Sequence, residues 1–242
     1  MITCPPTYTG WLGNQMFQYA ALRAFGLRHN IPIFYPSKFP PAPDLHAFFN
    51  ILQSDFIDGE YDSHVEPYFQ YKEIPLLSSN MILFGYYQSE KYFKDAEETI
   101  RKEFTFRHPK ITENVDAISL HVRRGDYLNL VDDHPVCPVT YYTKALELLP
   151  DKNVIVFSDD IEWCKKTFKG SKFQFSEGRS PSEDIEYMSR CSHHVIANSS
   201  FSWWGAWLGH NENKIVIAPK RWFGKNKEYD TKDLYCSGWH II

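Results

Sequence analysis

The heptapeptide His121-Val122-Arg123-Arg124-Gly125-Asp126-Tyr127 brings together an imidazole, two guanidiniums, a carboxylate and a phenol. Adjacent arginines offer planar forks of donors that match phosphate oxygens. The apolar run Ile118–Val122 ahead of them reads as a buried strand, so the chain delivers both guanidiniums to a turn at a strand end. Gly125 lets that turn bend and lets a ligand approach the backbone. Asp126 can hold an arginine in place or take a proton from a substrate. His121 titrates near neutrality, but it lies inside the strand and faces either the core or a crevice. The plainer reading is a surface loop with a local Arg–Asp ion pair. An adhesive Arg-Gly-Asp is disfavoured by the strand directly before it.

Two further segments carry chemistry. Asn198-Ser199-Ser200-Phe201-Ser202-Trp203-Trp204-Gly205-Ala206-Trp207 follows the run His193–Ala197. Strand, small hydroxyl residues, then helix is a phosphate-binding arrangement, because unpaired N–H groups and the helix dipole favour an anion. Ser199, Ser200 and Phe201 are the candidates there, while the tryptophans suit the core. Asn198-Ser199-Ser200 also fits a glycosylation sequon. Near the N-terminus stands Gly10-Trp11-Leu12-Gly13-Asn14-Gln15-Met16-Phe17. Phe17, Ala20, Ala21 and Ala24 fall on one helical stripe behind it. Asn14 can cap this helix or orient a sugar by hydrogen bonds.

In this order, the three segments resemble α-1,2-fucosyltransferases of glycosyltransferase family 11, and the resemblance spans most of the chain. Trp11 stands where the family has a second glycine. The resemblance implies a GT-B-like, two-domain α/β glycosyltransferase with a Rossmann-like C-terminal half that binds GDP-fucose. It implies an inverting fucosyltransferase that uses GDP-β-L-fucose and the 2-hydroxyl of a terminal galactose on a glycan. Arg123 and Arg124 would hold the diphosphate, with Ser199, Ser200 and Phe201 beside the nucleotide. Asp159 would read the guanine edge, although it can equally cap the next helix, and Asp160 can take either role. Gly13, Asn14, Gln15, Tyr86 and Gln88 would serve the acceptor or the fucose. Asp126 is the first candidate for the catalytic base and His121 the second. The alternatives are a non-catalytic nucleotide-sugar or glycan-binding protein, or a fucosyltransferase of another linkage.

Composition narrows the class. The formal net charge of -4 argues against general nucleic-acid binding, so phosphate affinity must come from a local cluster. Cys4, Cys137, Cys164, Cys191 and Cys236 are scattered, with no Cys-x-x-Cys pair to suggest zinc. No strict Asp-x-Asp is present to hold a divalent ion on a diphosphate. No cofactor and no metal are therefore expected. There is neither a signal-peptide pattern nor an apolar run of the roughly 18 residues a membrane span needs, so the expected location is cytoplasmic.

The elements that must position these groups fall into two halves. Residues 1–112 are irregular and aromatic, with a Pro-rich loop at 36–43 and a strand from Met81 that leads to an exposed edge at Gln88. Residues 113–219 alternate: strands at 118–122, 154–157, 172–175, 195–197 and 215–218, and helices at 139–149 and 161–168 and after Ser180. Ser180-Pro181-Ser182-Glu183 predicts a capping box with proline in the first turn. Alternation predicts a parallel, doubly wound sheet with ligands at the carboxyl ends of its strands. Arg123, Asp159 and Ser199 all lie at such ends. The tail 220–242 is expected to pack back on the first half.

Overall fold

The structure, a computed structural model, describes residues 1–5, 10–36, 45–55 and 57–242. Most of the Pro-rich 36–43 segment lies outside the described residues. The chain forms two compact units: Met1–His108 with Tyr229–Cys236, and Pro109–Glu228 with Ser237–Ile242. The tail is thus divided, with only its middle part belonging to the first unit.

The first unit is built on a four-stranded parallel sheet in the order β2-β1-β4-β3, from β1 (Ile2–Thr3), β2 (Ile33–Phe34), β3 (Asp62–Val65) and β4 (Met81–Phe84). β1 ends before the prolines, which lack the N–H that a ladder needs. Helix α1 (Leu12–His29) is enclosed on nearly every side, and its Phe17, Ala20, Ala21 and Ala24 are fully buried. Asn30 closes it in the left-handed conformation, and its N–H donates back to the last turn. A second helix, α2 (Glu97–Glu103), holds α1 through Glu103, which takes the Tyr19 hydroxyl at 2.6 Å and Arg23 Nε at 2.9 Å.

β4 is shorter than the sequence suggests and lies inside the sheet, not at an edge: it pairs with β1 on one side and β3 on the other. It stops at Phe84 because the next amides turn away. Tyr87 then adopts φ 53, in the left-handed region.

The second unit is an all-parallel six-stranded sheet, β10-β9-β8-β5-β6-β7. Its members are β5 (Val115–Val122), β6 (Asn153–Ser158), β7 (Phe173–Phe175), β8 (Cys191–Val195), β9 (Val216–Ala218) and β10 (His240–Ile241). The helices α3 (Val139–Glu147), α4 (Ile161–Thr167), α5 (Pro181–Arg190) and α6 (Ser200–Trp207) connect them. The Ser180–Glu183 capping box forms as predicted, with Pro181 in the first turn. Chain order runs outward from β5 in one direction through β6 and β7, and in the other through β8, β9 and β10. The switch point of the sheet is therefore between β5 and β8, where an open α/β sheet has its crevice.

β8 begins earlier than the His193–Ala197 run predicts, at Cys191, and ends at Val195, leaving Ile196 and Ala197 beyond it. Its ladder with β5 takes in His193 and His194. His194 Nδ1 meets the Ser119 hydroxyl at 2.8 Å, while its buried Nε2 has no hydrogen-bond partner among the described residues. Trp203, Trp204 and Trp207 are all core. α6 packs closely on α5 because residue 205 is glycine; a Cβ would stand 2.8 Å from Met188. Lys214 Nζ closes the far end of α6 on the carbonyls of Ala206 and Gly209, both at 2.8 Å.

Burial pushes His121 and His194 down to about 3, with the charge of Arg123 adding to the effect at His121 and that of Lys214 at His194. A folded pKa below the unfolded value means that the unfolded chain binds more protons between about pH 3 and 6.5. Stability is then complete above 6.5 and falls as the pH drops, by up to about 1.4 kcal/mol per pH unit for each histidine. Glu66, raised by burial to about 7, opposes one of them over its own range. Urea midpoints should fall between pH 7 and pH 5; a flat or rising profile would contradict this.

Candidate active site

Strand β5 ends at Val122, and the next two residues are the arginines. Each is held by one residue of the Asp159-Asp160 pair that follows β6. Arg123 Nη1 meets Asp159 Oδ2 at 3.0 Å, and Arg124 Nε meets Asp160 Oδ2 at 3.0 Å. The in-register pairing of Val122 with Ser158 brings the two dipeptides together. Asp159 does a second job, accepting the Arg124 backbone N–H on Oδ1 at 2.9 Å. Asp160 also caps α4 by accepting from Trp163 N–H. The Arg124 guanidinium lies over the Trp163 ring, 3.9 Å from its centroid, a cation–π contact that fixes its plane.

The third carboxylate, Asp126, is tied more loosely. It accepts from Arg123 Nη2 at 2.7 Å, but its side chain is 49% exposed. Exposed pairs of this kind contribute about 0–1 kcal/mol, so an incoming anion can displace it. Arg123 is thus filled by two carboxylates. Arg124 keeps its two terminal nitrogens without a partner among the described residues. Gly125 is required by the crowding: a Cβ would lie 2.5 Å from Asp159 Oδ2.

Across the switch point, β8 runs through Ile196–Asn198 into α6, whose N-cap is Ser199. The Ser199 side chain makes no capping bond, and no acidic residue stands in the first turn. The two strand ends are joined by the Tyr127 hydroxyl, which donates to the Asn198 carbonyl at 3.2 Å. Asn198 itself is buried, with its amide donating to the carbonyls of Pro135 and Trp222. Its nitrogen is therefore committed to the interior, and the sequon is structural. Phe201 packs 5.4 Å from the His121 ring.

His121 and Asp126 separate clearly as bases. His121 is buried, neutral and held far below its ordinary value, whereas Asp126 reaches solvent. Both oxygens of Asp159 serve the arginine turn, Oδ1 with the Arg124 N–H and Oδ2 with Arg123. The sequence does not show the clamp of Arg124 by Asp160 and Trp163, since the partners are 36 residues or more away in the chain. The residue pair after β6 is the one hint.

The other expected sugar-handling residues lie in the first unit. Trp11, not Asn14, is the N-cap of α1. Asn14 Oδ1 instead accepts from Gln88 Nε2 at 2.8 Å. Gly13 lies in the same first turn, and Gln15 is fully buried, with no hydrogen-bond partner for either amide atom among the described residues. Tyr86 is exposed. Gly10 has φ +105, and a Cβ there would collide with the Asn14 side chain. Glu66, unremarked in the sequence, accepts the N–H groups of Tyr86 and Tyr87. Among the described residues no group of three His, Cys, Asp or Glu side chains is placed to hold a metal ion, and no helix is long and apolar enough to cross a membrane.

Two parallel-sheet units, one with a pair of arginines at its switch point, are the architecture of GT-B-like glycosyltransferases. The chain belongs to glycosyl transferase family 11, whose model matches residues 6–242. An α-1,2-colitosyltransferase of Escherichia coli is 33% identical, covering 90% of this chain and 91% of the relative. The mouse galactoside 2-α-L-fucosyltransferase Sec1 is 28% identical over 82% of this chain, which spans 62% of that longer protein. Among solved structures, the fucosyltransferase NodZ from Bradyrhizobium superposes with a TM-score of 0.52 at 14% identity, covering 84% of this chain and 92% of the other. The α-1,6-fucosyltransferase NodZ soaked with GDP-fucose gives 0.52 at 15% identity, over 89% and 94%. At such identities the likeness concerns the fold alone.

Proposed function

We propose that the protein is an inverting, metal-independent transferase that moves L-fucose from GDP-β-L-fucose to the 2-hydroxyl of a terminal galactose on a glycan. The observation that carries this reading is the pair of arginines held at the switch point opposite the start of α6. The names of the family relatives supply the sugar and the linkage.

Going from a β-linked donor to an α-fucoside takes a single displacement. It needs charge stabilisation on the departing diphosphate and a base for the acceptor hydroxyl. Arg124, pre-set on Trp163 with an open fork, receives the diphosphate. Arg123 exchanges its exposed Asp126 contact for a phosphate oxygen. Main-chain N–H groups at the start of α6, beside Ser199 and Ser200, complete the anion site, and Phe201 flanks the nucleotide. The exchange at Arg123 releases the Asp126 carboxylate, which then serves as the base. Asn14, Tyr86 and Gln88 handle the acceptor or the fucose in this reading, with Gly13 and Gln15, both buried, supporting them from the first turn of α1.

A second donor deserves a parallel assay because a relative with 33% identity is a colitosyltransferase. The test is incubation with GDP-fucose or GDP-colitose and a panel of galactose-terminated glycans, read by mass spectrometry. The expected product is a fucoside. A colitoside alone would replace the donor, and no glycoside from either would overturn the reading. Since the charge on the diphosphate is met by guanidiniums and amides, transfer should continue undiminished in excess EDTA. Activity abolished by EDTA and restored by Mn²⁺ would contradict that part.

A further inference from the structure

The turn after β4 is held by more than its ladder. Pairing of β3 with β4 ends at Val65 and Phe84. Glu66 comes next, and its N–H donates to the Phe84 carbonyl at 2.7 Å. Its carboxylate folds back across the turn, where Oε2 accepts Tyr86 N–H at 2.7 Å and Tyr87 N–H at 3.0 Å. This grip coincides with the left-handed φ of Tyr87, a conformation that a bulky residue keeps only where its surroundings impose it. Gly85 leaves the space for it, since a Cβ would stand 2.5 Å from Glu66 Cβ and 2.8 Å from Oε2. The opposite side of the turn is tied to α1: Gln18 Nε2 donates to the Gly85 carbonyl at 3.0 Å, and Gln88 Nε2 to Asn14 Oδ1 at 2.8 Å.

A buried carboxylate is a costly way to satisfy two amides, since desolvation penalises its charge. Backbone strain held in place at such a cost is characteristic of ligand-handling turns. The carboxylate itself is not available to a sugar hydroxyl, because Oε1 is buried away from solvent. Glu66 can therefore act only through the residues it places.

We infer that Glu66 is a positioning residue for the acceptor: it holds the Gly85–Gln88 turn so that Tyr86 projects outward and Gln88 stays locked on Asn14. This rests on the assignment of those residues to the acceptor in the proposed function. In the full chain, Glu66→Ala should speed hydrogen exchange at the Tyr86 and Tyr87 amides at least about tenfold. Glu66→Gln keeps an acceptor oxygen and should stay within about threefold of the wild type. With GDP-fucose and a galactose-terminated acceptor, Glu66→Ala should raise the acceptor KM at least about tenfold and leave the GDP-fucose KM within about twofold, with Gln restoring most of the loss.

Unchanged exchange in Glu66→Ala, or an unchanged acceptor KM, overturns the inference. Equal loss on donor and acceptor sides would mark a merely structural residue and also overturns it. A wild-type protein that makes no fucoside overturns the functional reading, and the acceptor role with it. In that case the exchange data still decide separately whether Glu66 holds the turn.

Discussion

Replacing Arg124 by alanine is expected to weaken GDP binding and cut turnover by at least about tenfold, with Arg123→Ala showing a similar loss of turnover. The physical basis is the charge-assisted hydrogen bond from each guanidinium to the diphosphate, worth roughly 1.5–3 kcal/mol. The protein as a whole carries a net charge of -4 and offers a phosphate no general attraction. Arg124 should have the larger effect on affinity, because its guanidinium already lies flat on Trp163 and binds without losing freedom. The fold should survive both changes. Asp160 still caps α4 without Arg124, and Asp126 is exposed enough to be solvated without Arg123. Calorimetric titration with GDP and initial rates measure the two effects. Wild-type affinity and turnover in both variants would remove the diphosphate from this turn.

Gly125→Ala should be as damaging, although it deletes no charge. The added methyl meets Asp159 Oδ2 at 2.5 Å, a distance that forces the carboxylate away. Asp159 would then lose the Arg124 N–H or the Arg123 guanidinium, or both. Losing one such bond corresponds to roughly ten- to hundredfold in affinity. The effect should appear in GDP binding with little change in melting temperature, since the turn is at the surface and the core beneath it is untouched. A Gly125→Ala protein that binds GDP as the wild type does would mean that Asp159 does not set the arginines.

The site was legible in the sequence where it is local and illegible where it is assembled. Arg123, Arg124, Ser199 and Ser200 could be placed at strand ends because alternation of strands and helices fixes a parallel sheet, and such a sheet fixes where its loops lie. The start of α5 was legible to the residue, since a capping box closes within four positions. By contrast, the partner of a carboxylate is chosen by register. Nothing in the sequence shows that Asp159 meets the arginines, and the pairing of β5 with β6 brings it there. β3 went unseen because Asp62-Ser63-His64-Val65 is polar and largely exposed, with no apolar alternation. The start of β8 at Cys191 was missed because Cys191-Ser192 ahead of the His193–Ala197 run carries no strand pattern of its own. Glu66 gave no signal at all, for its role exists only once β3 lies beside β4.

The most direct test of the account is a crystal structure with GDP. The expected complex has the β-phosphate within hydrogen-bond distance of a main-chain N–H at Ser200–Ser202 and of Arg123 or Arg124, with the Arg123–Asp126 contact broken. GDP bound instead to residues 1–108, or bound with its phosphates away from both arginines, would contradict it.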